Sequence, residues 1–308
     1  MNIVLCKRYV IHEIIGKGKF GHVYKGKNIK SGEIVAIKLE DERNPAKLLK
    51  HEASLMKYLY DHDCRNTPIV YWYGLYENTA CIVMPFYECS LFDKIISYGE
   101  ENLPIKKINQ IMVICIDILE SIHKNFVIHR DIKPQNFMYK NKELYLIDFG
   151  LSNFFVGDGK EHIAIQDNNE HITGTPKYIS YFIHEGLSAS RKDDLISLGY
   201  MYIWLTYREL PWDDSNMLFK EDSQYDESHI LHWKNKERKR LKSLENLISL
   251  WDNSQKIKEL GCIRDRSREH GPPLRINQPI CDYLNYSYGL NYKTTPNYSA
   301  LCDLFAPS

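Results

Sequence analysis

Hydrophobic and polar positions alternate through the first forty residues with the period of antiparallel strands. Tyr9-Val10-Ile11-His12-Glu13-Ile14-Ile15 leads into a glycine cluster, and His22-Val23-Tyr24-Lys25-Gly26 follows it. After a turn at Lys30-Ser31-Gly32-Glu33 comes the apolar run Ile34-Val35-Ala36-Ile37. The period then changes. Between Ala46 and Asp61, residues Leu48, Leu49, Ala53, Leu55, Met56 and Leu59 recur at helical spacing. Ile69 to Phe86 predicts two further strands, with Tyr76-Glu77-Asn78-Thr79 as the turn between them. From Ser90 onward the pattern is largely helical, strongest over Ile105–Lys124, with short strand-like pieces at Val127-Ile128 and Leu144–Ile147. A β-rich first third and a helical remainder predict an α+β protein of two lobes joined near Pro85–Ser90. Residues 221–276 are more polar, with an acidic stretch from Glu221 to Glu227 and a basic one from Lys234 to Arg240. No internal repeat is visible.

Composition narrows the class without touching the chemistry. The 308 residues are 44% hydrophobic and 26% charged, as in ordinary soluble globular proteins, which excludes fibrous and wholly disordered chains. Forty Lys and Arg balance forty Asp and Glu, so the basic excess of a dedicated nucleic-acid binder is missing and no nucleic-acid partner is expected. Eight scattered cysteines, without a C-x-x-C pair or a signal peptide, predict free thiols in a reducing compartment. The apolar stretch Ile108–Ile122 carries Asn109, Gln110, Asp117 and Glu120, so no membrane span is expected, and the C-terminus offers no prenylation cysteine. The expectation is a monomer in the cytoplasm, the nucleus or both.

Gly16-Lys17-Gly18-Lys19-Phe20-Gly21 fits G-x-G-x-x-G, a short motif that also describes an ordinary glycine turn. The dinucleotide-binding version needs a helix after the glycines, whereas Val23-Tyr24 is strand-like. Strand, glycines and strand suit a hairpin lid over phosphates, where backbone amides approach the oxygens. Lys38, at the end of its apolar strand, can reach α- and β-phosphate oxygens. Glu52 can hold that ammonium by an ion pair, provided its helix faces the sheet. The strongest segment is His129-Arg130-Asp131-Ile132-Lys133-Pro134-Gln135-Asn136, followed by Ile147-Asp148-Phe149-Gly150. Phosphoryl transfer to a hydroxyl needs a carboxylate beside the nucleophile, cations on the phosphate and oxygen ligands for magnesium. Asp131 can accept the hydroxyl proton, Lys133 can neutralise the γ-phosphate, and Asn136 and Asp148 can ligate the metal.

These residues, in this order and spacing, resemble the eukaryotic protein kinase family. The resemblance implies a bilobed protein-kinase-like fold: residues 1–87 a small lobe with a five-stranded antiparallel sheet and one helix, residues 88–308 a larger, mainly helical lobe. ATP and Mg2+ are the implied cofactors, and proteins with Ser or Thr sites the implied partners. Lys133 two residues after Asp131 looks like the serine/threonine form of the catalytic loop. Thr173-Gly174-Thr175 supports it, Thr175 being expected to bridge Asp131 and Lys133. The resemblance places Gly16, Lys17, Gly18, Gly21 and Lys38 along the phosphates. It puts the Pro85 carbonyl and the Tyr87 amide on the adenine edge beside a gatekeeper-like Met84, with Ile15, Val23, Ala36 and Ile147 against its faces.

Ala-Pro-Glu does not close the activation segment; Tyr178-Ile179-Ser180-Tyr181 stands there. With His184-Glu185-Gly186, the run Ser190–Tyr200, Leu210-Pro211-Trp212 and Tyr283-Leu284-Asn285-Tyr286, the chain is similar to the casein kinase I family. In that family an aspartate at the Asp194 position braces the catalytic loop. Lys177 and Lys220 match two positions of its anion pocket, which would favour acidic or pre-phosphorylated sites. Arg208 stands where the family has glycine and either adds a cation or obstructs that pocket. The basic run after Asp-Phe-Gly-Leu is replaced by the apolar, uncharged Ser152-Asn153-Phe154-Phe155-Val156-Gly157, which weakens anion-directed specificity. Residues 221–276 have no counterpart of that length; a surface insertion, helical around Leu241–Trp251, is expected. The chain ends soon after its last helix, so control by an autoinhibitory tail is not expected. Two other readings share parts of the pattern: a kinase-fold scaffold without activity, and a small-molecule phosphotransferase. Lys38, Asp131, Asn136 and Asp148 all being present argues against the first, and the Thr-Gly-Thr segment against the second.

Overall fold

Alternation in the N-terminal part becomes a six-stranded antiparallel sheet in the order β1-β2-β3-β4-β6-β5. Its strands are β1 (Val4–Leu5), β2 (Tyr9–Gly18), β3 (Gly21–Asn28), β4 (Ile34–Asp41), β5 (Trp72–Tyr76) and β6 (Thr79–Pro85). The computed structural model describes residues 3–18, 21–41, 48–99, 103–165, 173–208, 210 and 278–306. The insertion at 221–276, its expected helix at Leu241–Trp251, and Lys220 lie outside the described residues. The chain forms two compact units, one of residues 1–99 and 117–161, the other of residues 100–116 and 162–308.

In the first unit the sheet has two faces with different work. Side chains along a strand point alternately up and down, so register decides which residues share a face. Tyr24 lies opposite Ile37, and Ile37 opposite Val83. Leu5, Tyr9, Val35, Ile37, Cys81 and Val83 make a core on that side, with Ile37, Cys81 and Val83 fully buried. The other face collects Val23 opposite Lys38, Lys38 opposite Ile82, and Ala36 opposite Met84. The helix α1 (Leu48–Asp61) buries Leu49, Glu52, Ala53, Leu55, Met56 and Leu59. Its first turn is capped from the sheet: the Leu49 amide donates to Glu40 Oε2 at 2.8 Å, and Glu40 is itself buried.

Family resemblance implies five strands, and the sixth is β1. Cys6 and Lys7 both take positive φ (40° and 55°) in a tight turn closed by the Arg8 amide on the Leu5 carbonyl at 2.9 Å. That backbone is the one short hairpin loops use. It folds Leu5 back opposite Tyr9, where its side chain is completely buried.

Beyond the sheet, β7 (Cys89–Ser90) leads into α2 (Leu91–Ile96), whose start is a capping box between Ser90 and Asp93. The long helix α3 (Ile105–Lys124) matches its predicted span and contributes its last residues, from Asp117, to this unit. Next come β8 (Val127–Ile128), β9 (Phe137–Lys140), β10 (Glu143–Leu146) and β11 (Asn153–Phe154). They pair as β10-β9-β7 and β11-β8, which fastens the loops between them.

The second unit is helical: α4 (Tyr181–His184), α5 (Arg191–Tyr207), α6 (Gln278–Gly289) and α7 (Tyr298–Asp303). Most of α5 is buried, from Arg191 to Leu205, as expected for a helix enclosed on all sides. A Cβ on Gly199 would lie 2.5 Å from Leu284 Cδ2, so glycine is what lets α6 approach. Asp193 is buried and accepts from Ser180 Oγ at 2.5 Å and the Ser190 amide at 2.7 Å, joining α4 to the start of α5. Arg208 ends α5 with φ 64° and ψ 5°, its amide on the Trp204 carbonyl. This is the left-handed cap position that glycine usually fills. Seven cysteines among the described residues are free thiols, and no helix among those residues is long and apolar enough to cross a membrane.

Ile37→Ala removes a fully buried side chain from the middle of the sheet core. It should lower stability by about 2–5 kcal/mol, read from urea unfolding, with the slope unchanged.

Candidate active site

All the residues that the sequence assigns to phosphoryl transfer, except Thr175, fall in the first unit. Their placement begins with the strand register. Because Val23 and Ala36 share the face of Lys38, a single wall carries Val23, Ala36, Lys38 and Met84, and Gly16 lies opposite Val23 at its edge. Two residues of β2 face one of β3 between Ile14 and Gly16. Ile15 is the extra residue of that bulge and keeps 45% of its surface exposed. At the hairpin tip Lys17 lies opposite His22, and Gly18 opposite Gly21. The two flanking glycines are there for different reasons. A Cβ on Gly21 would fall 2.0 Å from the Leu39 carbonyl oxygen, so β4 itself forbids a side chain. A Cβ on Gly16 would meet only Val23, at an ordinary 3.7 Å. Pro85 ends β6 opposite Val35, and Tyr87 is buried with its ring 5.3 Å from that of Tyr145. Ile147 sits directly before Asp148, its amide donating to the Asn136 carbonyl at 2.8 Å.

Lys38 is held between two carboxylates. Its Nζ is 2.7 Å from Glu52 Oε2 and 2.8 Å from Asp148 Oδ1. Glu52 is 2% exposed and Asp148 42% exposed, so the cluster is closed towards α1 and open at Asp148. Burial alone would depress the Lys38 ammonium, but the charges of Glu52 and Asp148 raise it above the ordinary lysine range. Burial pushes the Glu52 carboxyl up to about 7, Lys38 opposing and Asp148 and Glu40 adding to the rise. For Asp148 burial also acts upward, but Lys38, with His129 and Lys133, outweighs it and holds the carboxyl below its usual value. The Asp148 backbone is left-handed, φ 66° and ψ 71°, a conformation aspartate tolerates better than most residues. Two residues on, the Gly150 backbone borders the cluster: a Cβ there would lie at an ordinary 3.6 Å from both Asp148 Oδ1 and Glu52 Oε2.

A second cluster forms around Asp131, which is buried. Lys133 Nζ lies 2.8 Å from Asp131 Oδ2. Asn136 Nδ2 donates to the Asp131 carbonyl at 2.8 Å and to Oδ2 at 3.1 Å. Those bonds orient the amide, leaving Asn136 Oδ1 as an acceptor. Asn136 Oδ1 and the Asp148 carboxylate are hard oxygen donors of the kind magnesium takes, so the residues present fit that ion. Thr175 belongs to the second unit, where its carbonyl accepts from the amides of Tyr178 and Ile179.

Sequence reasoning did not foresee that Lys38 is shared: its pairing with Asp148 spans 110 positions, which no local spacing reveals. It also passed over His129, whose Nε2 lies 3.0 Å from the Ile147 carbonyl and whose Nδ1 accepts from the Asp131 amide at 3.3 Å. The signal was its place at the head of His129-Arg130-Asp131. Its ring packs edge-on to Phe149, which is fully buried.

A family model described as protein kinase domain matches residues 9–264. Among solved structures the chain is similar to vaccinia related kinase 3, with a TM-score of 0.68 and 19% identity, covering 96% of this chain and 85% of that one. That likeness gives the fold, a β-sheet N-lobe and a helical C-lobe. The matched span takes in the glycine hairpin, the shared lysine and both carboxylate loops, and the chain belongs to the protein kinase domain family.

Proposed function

We propose that the chain is a serine/threonine protein kinase that transfers the γ-phosphoryl group of ATP to hydroxyls of protein substrates. The observation that carries this reading is Lys38 bound to both Glu52 and Asp148, in the same unit as the Asp131–Lys133–Asn136 cluster. An inactive kinase-fold scaffold has no need of either cluster.

In this reading the glycine hairpin with Gly16, Lys17, Gly18 and Gly21 covers the phosphates, and Lys38 neutralises the α- and β-phosphates in the position Glu52 sets. Ile15, Val23, Ala36 and Ile147 enclose the adenine, whose edge meets the Pro85 carbonyl and Tyr87 amide next to Met84. The substrate hydroxyl oxygen attacks the γ-phosphorus in line, its proton passes to Asp131, and the bond to the β–γ bridging oxygen breaks to release ADP. Lys133 offsets the charge on the transferring group. Asn136 and Asp148 would hold magnesium, which supplies charge neutralisation at the phosphates. The serine/threonine assignment rests on Lys133 two residues beyond Asp131 and on Thr173-Gly174-Thr175.

The finer proposal is a casein kinase I-like enzyme, monomeric and cytoplasmic or nuclear. Its support is the Tyr178–Tyr181 replacement and the Ser190–Tyr200 run. A preference for acidic sites would come from Lys177, with Arg208 as an added cation and Lys220 outside the described residues.

Asp131→Asn should reduce kcat for casein by about 100-fold or more while ATP affinity stays within about threefold, measured by radiolabel transfer and equilibrium binding. Equal transfer by the variant would overturn the reading. Glu52 gives a pH test. Its raised carboxyl takes up a proton as pH falls through about 7, which removes the charge that holds Lys38. Since kcat/KM reports the free enzyme, its ATP profile should fall on the acidic side of neutrality. In Glu52→Gln that limb should vanish and the remaining activity should be about 10- to 100-fold lower throughout. For specificity, Lys177→Glu should reduce the preference for acidic over neutral peptides in a library assay; an unchanged ratio removes Lys177 from the anion site.

A further inference from the structure

Glu52 works only if α1 stays where it is, and the segment after Asp148 holds that helix at two places. The usual basic residues there are replaced by Ser152-Asn153-Phe154-Phe155, and each of three positions grips something. His51, the residue before Glu52, lies 2.8 Å through Nε2 from the Ser152 carbonyl. A carbonyl only accepts, so His51 Nε2 carries the hydrogen. Seven residues on, two helical turns along the same face, Tyr58 packs edge-on against Phe154 with centroids 4.9 Å apart. Phe155 is buried, and its amide donates to the Phe126 carbonyl at 3.0 Å.

Ser152 then passes the connection inward. Its Oγ donates to the His129 carbonyl at 3.2 Å, and Ser152 itself is 2% exposed. His129 donates through Nε2 to the Ile147 carbonyl, next to Asp148, and accepts through Nδ1 from the Asp131 amide. One run of hydrogen bonds therefore leads from α1 to the residues that flank both carboxylates. Pairing of β11 with β8, Asn153 opposite Ile128 and Phe154 opposite Val127, keeps that run in line.

We infer that His51 is a positioning residue for phosphoryl transfer, acting through Ser152 and His129 to hold α1 in register with Asp148 and Asp131. The inference rests on the kinase reading above. His51 touches neither carboxylate cluster, and it is solvent-exposed, so replacing it leaves no cavity. Glutamine can present an amide hydrogen near the position of Nε2, whereas leucine cannot.

The test uses the full chain with His51→Leu, His51→Gln and Ser152→Ala. In steady-state transfer to casein, His51→Leu should lower kcat about tenfold with KM for ATP within about twofold, and His51→Gln should recover kcat to within about threefold of wild type. Ser152→Ala, which keeps the carbonyl that His51 meets, should lower kcat in the same direction. Hydrogen exchange of the α1 amides, measured without ATP or peptide, should be faster in His51→Leu and like wild type in His51→Gln. A His51→Leu kcat equal to wild type, or a glutamine variant as impaired as the leucine one, overturns the inference. A wild-type chain that transfers no phosphate would overturn the kinase reading instead, and the exchange ordering would still decide for or against the clasp.

Discussion

A lysine ammonium taken out of water must find its charges inside the protein, and for Lys38 they come from two different parts of the chain. Glu52 stands 14 positions away on α1, and Asp148 stands 110 positions away in a loop. Breaking a buried pair by removing one partner costs about 3–5 kcal/mol in general, since the survivor is left without compensation. The sheet, α1 and the Asp148 loop are thus tied by one set of charges. The chemistry and the local fold share a single constraint, which is why the cluster is closed on the α1 side and open at Asp148.

Strand period divides the remaining labour. In β4 the residues Val35 and Ile37 serve the core, and Ala36 and Lys38 between them serve the wall. A slip of one residue would exchange the two sets, putting an ammonium into the core and an isoleucine at the site. Two devices counter such a slip. The paired ladders on both sides of β4 fix its register, and Gly21 lies so close to the Leu39 carbonyl that only glycine fits there.

What the sequence made legible follows from how far each signal reaches. Alternation gave the hairpins, helical spacing gave α1 and α3, and the string from His129 to Asn136 gave the expectation of phosphoryl transfer, because all are local. β1 was missed because two residues are too few to show a period; only the turn at Cys6-Lys7 reveals it. Sharing of Lys38 with Asp148 was missed because it depends on the folded path. His51 and Ser152 read as unremarkable polar residues, and their roles come from a backbone carbonyl, which has no letter in the sequence.

Arg208 has one more consequence. Its backbone already takes the shape that suits glycine, at a conformational cost of about 1 kcal/mol for any other residue. Arg208→Gly would therefore change two things of opposite sign at once, relieving the backbone while deleting a cation at a helix C-terminus. Charge and shape at this position can be separated only by a residue of similar bulk without the charge, such as glutamine. The end of α5 therefore combines a strained backbone with a charged side chain at one residue.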